Sequence, residues 1–373
     1  MEKRILAAAV CAALASSAGV AQAEMSVFGN VNISVDGWDV DGGRDDINMN
    51  SNTSSLGVRG DEAIGENSKV IYQLEIEVDP KKVSNGSDVI LDRDMWVGIQ
   101  AGFGTLRLGN LSSSYKEHGS LIDPLYRLSL QGRGNWLRAR SRDASDHTTY
   151  VRPPSGGMQS ALHNDETGTT GREGRMGDHV RYDSPSIMGA TISFDYAYDG
   201  DKSDGYDEDA WGFGIKWQNE MLLVFADYLA NGNSRYNSAW KLGGSVAFLG
   251  AKAYFQYEKD GGLISSARRM LTVDSSYGTT TTANVDGADI WHVGLSYDIF
   301  GATLYFGWGR GMNDSDSSEN TDYVAWTLAA NYHLTENADI FIGHNQMDRE
   351  GESTVLGPRG ETDLTSLGIR YSF

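Results

Sequence analysis

Six of the arginines in one 67-residue stretch between Leu111 and Gly177, namely Arg127, Arg133, Arg138, Arg140, Arg142 and Arg152, fall within 26 consecutive residues. A guanidinium offers a planar fork of donors matched to carboxylate and phosphate, so the stretch could attract anions. Asp143, Asp146, Asp165 and Glu166 could equally pair with these arginines and fold it. A second charged set, Gln73, Glu75, Glu77 and Asp79, recurs at every other position, as do polar residues at Lys216, Lys241, Thr327 and Asn331. Side chains two apart share one face of a strand. Unpaired ions on a packed face are costly, so these faces are expected to meet water.

Catalytic and metal chemistry find little support. The seven histidines are scattered, and no His-Glu-x-x-His run, Gly-x-Ser-x-Gly elbow or phosphate loop occurs. Asn331 and His333 share a strand face and could seed a barrel hydrolase, but a polar pair at a lumen or rim is the expected explanation. Three acidic clusters, Asp36 to Asp46, Asp199 to Asp209 and Asp314 to Glu319, could gather divalent cations. None has calcium-loop spacing, so solvated loops are expected. The sole cysteine, Cys11, precedes the expected mature start, which excludes thiolate, disulfide and Cys-metal chemistry from the mature chain. No catalytic residue, metal or cofactor is assigned.

The elements that position these residues are strands. Leu367, Ile369, Tyr371 and Phe373 lie on one face of the last ten residues, with Gly368, Arg370 and Ser372 on the other. Sixteen such segments are expected, starting near residues 26, 53, 69, 91, 105, 178, 190, 210, 221, 238, 251, 289, 302, 322, 338 and 364. Short connections (60–67, 101–104, 219–220, 249–250, 299–301, 334–337) alternate with long polar ones (40–50, 80–90, 112–177, 199–209, 260–288, 311–321, 349–362), the pattern of an outer-membrane barrel. Met1 to Ala23 reads as an export signal, with Lys3 and Arg4, a short apolar run and Ala21-Gln22-Ala23; residues 24–373 are the expected barrel domain. No later run is long and apolar enough for a membrane helix, so a membrane-spanning fold must be a barrel. Abundant Gly, Tyr and Trp with six prolines fit that fold, and a formal charge of −20 argues against nucleic acid as a partner.

Ser54-Ser55-Leu56-Gly57-Val58-Arg59-Gly60 with Val70-Ile71-Tyr72-Gln73-Leu74-Glu75, Arg93-Asp94-Met95-Trp96-Val97-Gly98-Ile99, Phe103-Gly104-Thr105-Leu106-Arg107-Leu108-Gly109, Val180-Arg181-Tyr182-Asp183-Ser184-Pro185 and the terminal Phe373 together resemble the general diffusion porins of Gram-negative outer membranes. The resemblance implies an all-β, 16-stranded antiparallel transmembrane barrel, a homotrimer, with long extracellular loops and a third loop folded inward to narrow the channel. It also implies a transverse field between wall bases and loop acids. On it, Arg93 and Arg175 match wall arginines and Asp123 the loop's first carboxylate. Asn30, Ser55 and Asn110 stand where relatives carry basic residues, and Arg127 stands at the loop's usual second carboxylate, so positive charge has moved from wall to loop. Arg59 and Glu75 complete the candidate constriction. The expected function is passive diffusion of small hydrophilic solutes and ions across an outer membrane rich in lipopolysaccharide. A channel specific for a sugar or organic anion, with Tyr254 and Tyr305 as an aromatic track, is the alternative. Strict alternation forces Arg93 or Asp94 onto the apolar face of its strand, which a subunit contact or a bulge would explain.

Overall fold

A computed structural model describes residues 24–40, 46–78, 90–130, 175–198, 209–231, 238–260, 288–313, 322–350 and 360–373. The alternating sequence forms β1 (Glu24–Val40), β2 (Asp46–Ser51), β3 (Ser55–Gly65), β4 (Ser68–Val78), β5 (Ile90–Ala101), β6 (Gly104–Ser112), β7 (Arg175–Asp183), β8 (Ala190–Ala197) and β9 (Ala210–Gln218). It continues with β10 (Leu222–Asn231), β11 (Ser238–Phe248), β12 (Ala251–Asp260), β13 (Ala288–Ile299), β14 (Ala302–Asn313), β15 (Tyr323–His333), β16 (Ala338–Arg349) and β17 (Gly360–Ser372). From β3 onward each strand pairs antiparallel with the next in sequence, and β1 pairs with β17 from Asn30↔Ser372 to Val40↔Thr362, closing the sheet on itself. Backbone bonds between Gly29 and Phe373, 3.0 Å in each direction, finish the seam.

Seventeen segments make sixteen barrel strands because β2 and β3 both pair with β1. They are one strand interrupted at Asn52–Ser54. There Thr53 adopts φ 57°, and side chains replace the ladder: the Asn32 amide donates to Ser54 Oγ (3.0 Å) and Asn52 Nδ2 to Ser34 Oγ (2.9 Å). The strand is longer than its alternation suggests at both ends. The long connection expected at 40–50 shrinks to 41–45, and the turn expected at 60–67 shrinks to Glu66–Asn67. Polar residues that look like loop are lumen-side strand positions: Asp61 pairs across the ladder with Lys69 at 3.2 Å.

The two faces are inverted relative to a soluble protein. Val27, Val31, Val35, Trp211, Trp291, Leu328 and Ile369 are exposed on the outside, whereas Asn32, Ser34, Asp36, Asp195, Lys241 and Asn345 are buried inside. Among the described residues no helix is long and apolar enough to cross a membrane; the strands do so, their backbones paired in a ladder that closes on itself.

After β6 the chain turns into the barrel. Ser113 caps the short helix α1 (Ser114–Ser120), its Oγ accepting from the Lys116 amide at 3.3 Å. Beyond it Ile122, Leu125, Leu128 and Leu130 pack on Phe225, Tyr254, Tyr305, Ala329, Phe341 and Leu364 from the inner wall. An apolar pad inside a polar bore is stable because it removes facing hydrocarbon from water. Residues 1–23, 131–174 and most of the long connections lie outside the described residues, and with them Arg133, Arg138, Arg140, Arg142 and Arg152.

Candidate functional site

The inward loop runs from the wall at β8–β10, past β12 and β14–β17, to β1. Its first end is tied by polar contacts. Ser114 Oγ and its amide donate to Asp195 Oδ2 at 2.5 and 3.1 Å, and His118 Nδ1 meets Asp227 Oδ1 at 2.8 Å. Lys241 donates to the Tyr115 carbonyl and lies over its ring at 3.9 Å. Its far end docks on β1 and β17. Asn32 Nδ2 donates to the Arg127 carbonyl at 2.6 Å, and Ser129 Oγ lies 2.7 Å from Ser366 Oγ.

That docking brings the loop arginine to the wall. Arg127 holds a left-handed backbone, φ 66°, which bulky residues rarely adopt. With its carbonyl on Asn32, its Nη2 reaches Glu75 Oε1 at 3.6 Å. The same carboxylate is ion-paired with Arg93, whose Nε lies 2.9 Å from Oε1, and Arg93 Nη1 donates to Glu77 Oε2 at 2.8 Å. Glu75, Glu77, Arg93 and Arg127 thus form one network of two carboxylates and two guanidiniums, in which Arg93 and Glu75 are buried.

A β-bulge delivers Arg93. Leu74 pairs with Met95 but Ile76 with Asp92, so Arg93 and Asp94 together oppose Glu75. The extra residue turns both toward the lumen: Arg93 to the glutamates, Asp94 to Ser112 Oγ at 3.4 Å. Neither charge is therefore forced onto the outer face. Asn110 holds the bulge, its Nδ2 donating to the Arg93 carbonyl at 3.0 Å. A second irregularity beside it, between Gly109 (φ 139°) and Leu111, starts the loop's entry.

The other candidate residues have contacts of their own, and Ser55 stands opposite Glu77 in the β3–β4 ladder. Asn30 Nδ2 donates to Ser55 Oγ at 3.0 Å on the neighbouring inner wall. Asp123 is buried on the loop with Oδ1 accepting from the Leu125 amide at 3.0 Å, a contact that shapes the loop. Arg59 stands nearer the short-turn end, over the Phe28 ring at 5.0 Å, with Nε 3.4 Å from Ser26 Oγ. Arg175 opens β7 opposite Ser112, and its side chain is outside the described set. Tyr254 and Tyr305 face inward as expected, but both are buried beneath the loop's leucines, so neither lines an open track. His333 bonds Asp339 (2.7 Å) and Thr303 (3.2 Å).

Glu77, which the alternation turns inward, is not among the constriction candidates of the sequence, and neither is a second network. Arg181 reaches Glu117 at 2.8 Å and Asp183 at 2.9 Å, and Arg107 joins Asp183 and, at 3.8 Å, Glu117. The i, i+2 spacing of Glu75 and Glu77, and of Arg181 and Asp183, was the available signal. Two hollows of about 480 and 380 Å³ lie between the loop and the short-turn end. The first is lined by Trp96, Arg107, Glu117, Arg181 and Lys216, the second by Asn30, Arg127, Asp339 and Arg370.

A family model described as Gram-negative porin matches residues 7–352 of the chain. An outer membrane porin protein of Bordetella pertussis is 24% identical over the full length of both chains. The major outer membrane protein P.IB of Neisseria lactamica is also 24% identical, over 58% of this chain and 55% of that protein. Among solved structures, an anion-selective porin from Comamonas acidovorans superposes with a TM-score of 0.68 at 17% identity, covering 94% of this chain and all of that one.

Proposed function

The chain belongs to the Gram-negative porin family, and from that premise we propose that Glu75, Glu77, Arg93 and Arg127 are the charge filter of an outer-membrane channel through which small hydrophilic solutes and ions diffuse passively. The observation that carries this reading is the convergence of a wall bulge and an inward loop on one carboxylate, Glu75. A solute passing the loop meets fixed charges of both signs in place of bulk water. In a low-dielectric wall such charges act more strongly than they would in solution, so they sort solutes by charge while the loop limits size.

The arrangement differs from a simple basic wall facing an acidic loop. The wall supplies Glu75 and Glu77 together with Arg93, the loop supplies Arg127, and the formal charges cancel. Preference is then set by which partner is removed, which makes the filter testable by single substitutions. Reversal potentials of the reconstituted protein in a salt gradient should move toward anions for Glu75→Gln and toward cations for Arg127→Gln. Unchanged reversal potentials in both variants would overturn the assignment of the filter.

The outer face supports a homotrimer. Outward tryptophans, at positions 211, 217, 240, 291, 308 and 326, occur on β9, β11 and β13–β15, and among the described residues none lies on the outer face of β1–β8, β16 or β17. The outer face of β1 presents Val27, Gly29, Val31, Ile33, Val35 and Gly37, aliphatic and small, as suits subunit contact in place of a lipid girdle. The remaining perimeter is the surface for lipid and lipopolysaccharide, and residues 1–23 supply the export signal.

A further inference from the structure

Tight turns exposed to water are built mostly from Gly, Asn, Asp, Ser and Pro. Six of the seven short turns of this barrel nevertheless expose a large apolar residue; the exception is Glu66–Asn67. Three of the six do so with Phe103, Met221 and Leu334, which are 48–62% exposed. The other three use one repeated device: Met188-Gly189, Leu249-Gly250 and Phe300-Gly301. In each, both φ angles are positive (52° and 87°, 48° and 81°, 49° and 79°), a turn whose first position suits Asn or Asp and strains a bulky residue. The strained side chains are also the most exposed, at 92, 95 and 93%.

Each device sits against an outward aromatic residue one strand beyond its own hairpin, on β9, β13 and β15. A Cβ at Gly189 would lie 3.4 Å from Trp217 Nε1, one at Gly250 3.5 Å from Tyr297, and one at Gly301 3.7 Å from Tyr332. Trp217 also donates its indole N–H to the Met188 carbonyl at 3.0 Å. Outward Trp and Tyr at barrel ends sit at the membrane–water boundary, so the tips continue the lipid-facing belt. We propose that the short turns form an apolar anchoring ring immersed in the headgroup–acyl boundary of the periplasmic leaflet. Lipid is the occupant the geometry favours over a protein partner, because apolar tips recur at six of the seven short turns and adjoin the outward aromatic belt.

Cys11, the only cysteine, lies in the proposed export signal, so the mature chain accepts single nitroxide labels at Leu249→Cys and Phe300→Cys, with Glu66→Cys as the reference at a polar turn position. In phosphatidylethanolamine/phosphatidylglycerol vesicles, oxygen should collide with the first two labels several-fold more often, relative to a water-soluble nickel chelate, than with the third. Equal ratios at all three sites would overturn the proposal. A combined Met188→Asn, Leu249→Asn, Phe300→Asn variant keeps residues suited to the left-handed backbone. It should fold in detergent as the parent does but insert into preformed vesicles several-fold more slowly, and an unchanged insertion rate would count against the ring.

Discussion

At the scale of single residues, the informative group is Glu75, which serves two guanidiniums at 2.9 and 3.6 Å. Replacing it with Gln leaves two guanidiniums to one carboxylate in the network, which is the origin of the anion shift expected above. Arg93 is the converse case. It is buried beside two carboxylates, and removing one member of a buried ionic group leaves the others uncompensated, at a cost of about 3–5 kcal/mol. Arg93→Gln should therefore lower the temperature at which the folded barrel band converts to the unfolded band on semi-native gels. A Glu77→Gln, Arg93→Gln double change should recover much of that loss, since it removes charge in a pair. Failure of the double variant to recover would mean that Arg93 stabilises by packing and not by charge. The sequence alone made Glu75 and Arg93 candidates, yet it could not pair them, because a bulge breaks the period-two counting that assigns faces.

At the scale of elements, the inward loop is held by two chemistries in series. Its helix is pinned by polar contacts to Asp195, Asp227 and Lys241, and the segment after it by leucines on an aromatic wall. The leucines are fully or nearly fully buried, and Leu→Ala changes at such sites cost about 2–5 kcal/mol. Leu125→Ala with Leu130→Ala should loosen the loop's central span while leaving the barrel closed. Single-channel recordings should then show larger mean conductance with more open-state noise, and a trace matching the parent's would show that the leucines do not hold the loop. Little of this was legible beforehand. The length of the third connection marked it as special, but Ile122, Leu125, Leu128 and Leu130 have no partner within reach in sequence; their partners come from β10 to β17.

At the scale of the whole molecule, closure depends on the join between β1 and β17. Phe373 exchanges two backbone bonds with Gly29, and a Cβ at Gly29 would lie 2.9 Å from its ring. Deleting Phe373 should lower the thermal midpoint of the barrel in detergent, and an unchanged midpoint would show that the terminal residue adds nothing to the seam. The outer face offers a second test. Val31→Lys places a charge on the proposed subunit contact and should shift the protein from trimer to monomer on native gels, whereas Val293→Lys on the tryptophan-bearing side should leave the trimer intact. A charge at mid-depth on a lipid face costs about 2–4 kcal/mol, so both variants are expected to fold less readily. A trimer undisturbed by Val31→Lys would move the contact elsewhere.

The sequence by itself determined that the chain is a barrel of alternating strands, because a side-chain period of two writes lipid and water faces directly into the order of residues. The same period set the inward direction of Glu75, Glu77, Lys241 and Thr327. Only the tertiary structure decided that β2 and β3 are one strand interrupted at Asn52–Ser54, that Arg93 and Asp94 both turn inward, and that Arg127 meets Glu75. Those outcomes depend on bulges, a left-handed residue and contacts between residues far apart in the chain, such as the 237 positions that separate Ser129 from Ser366, none of which leaves a local period in the sequence.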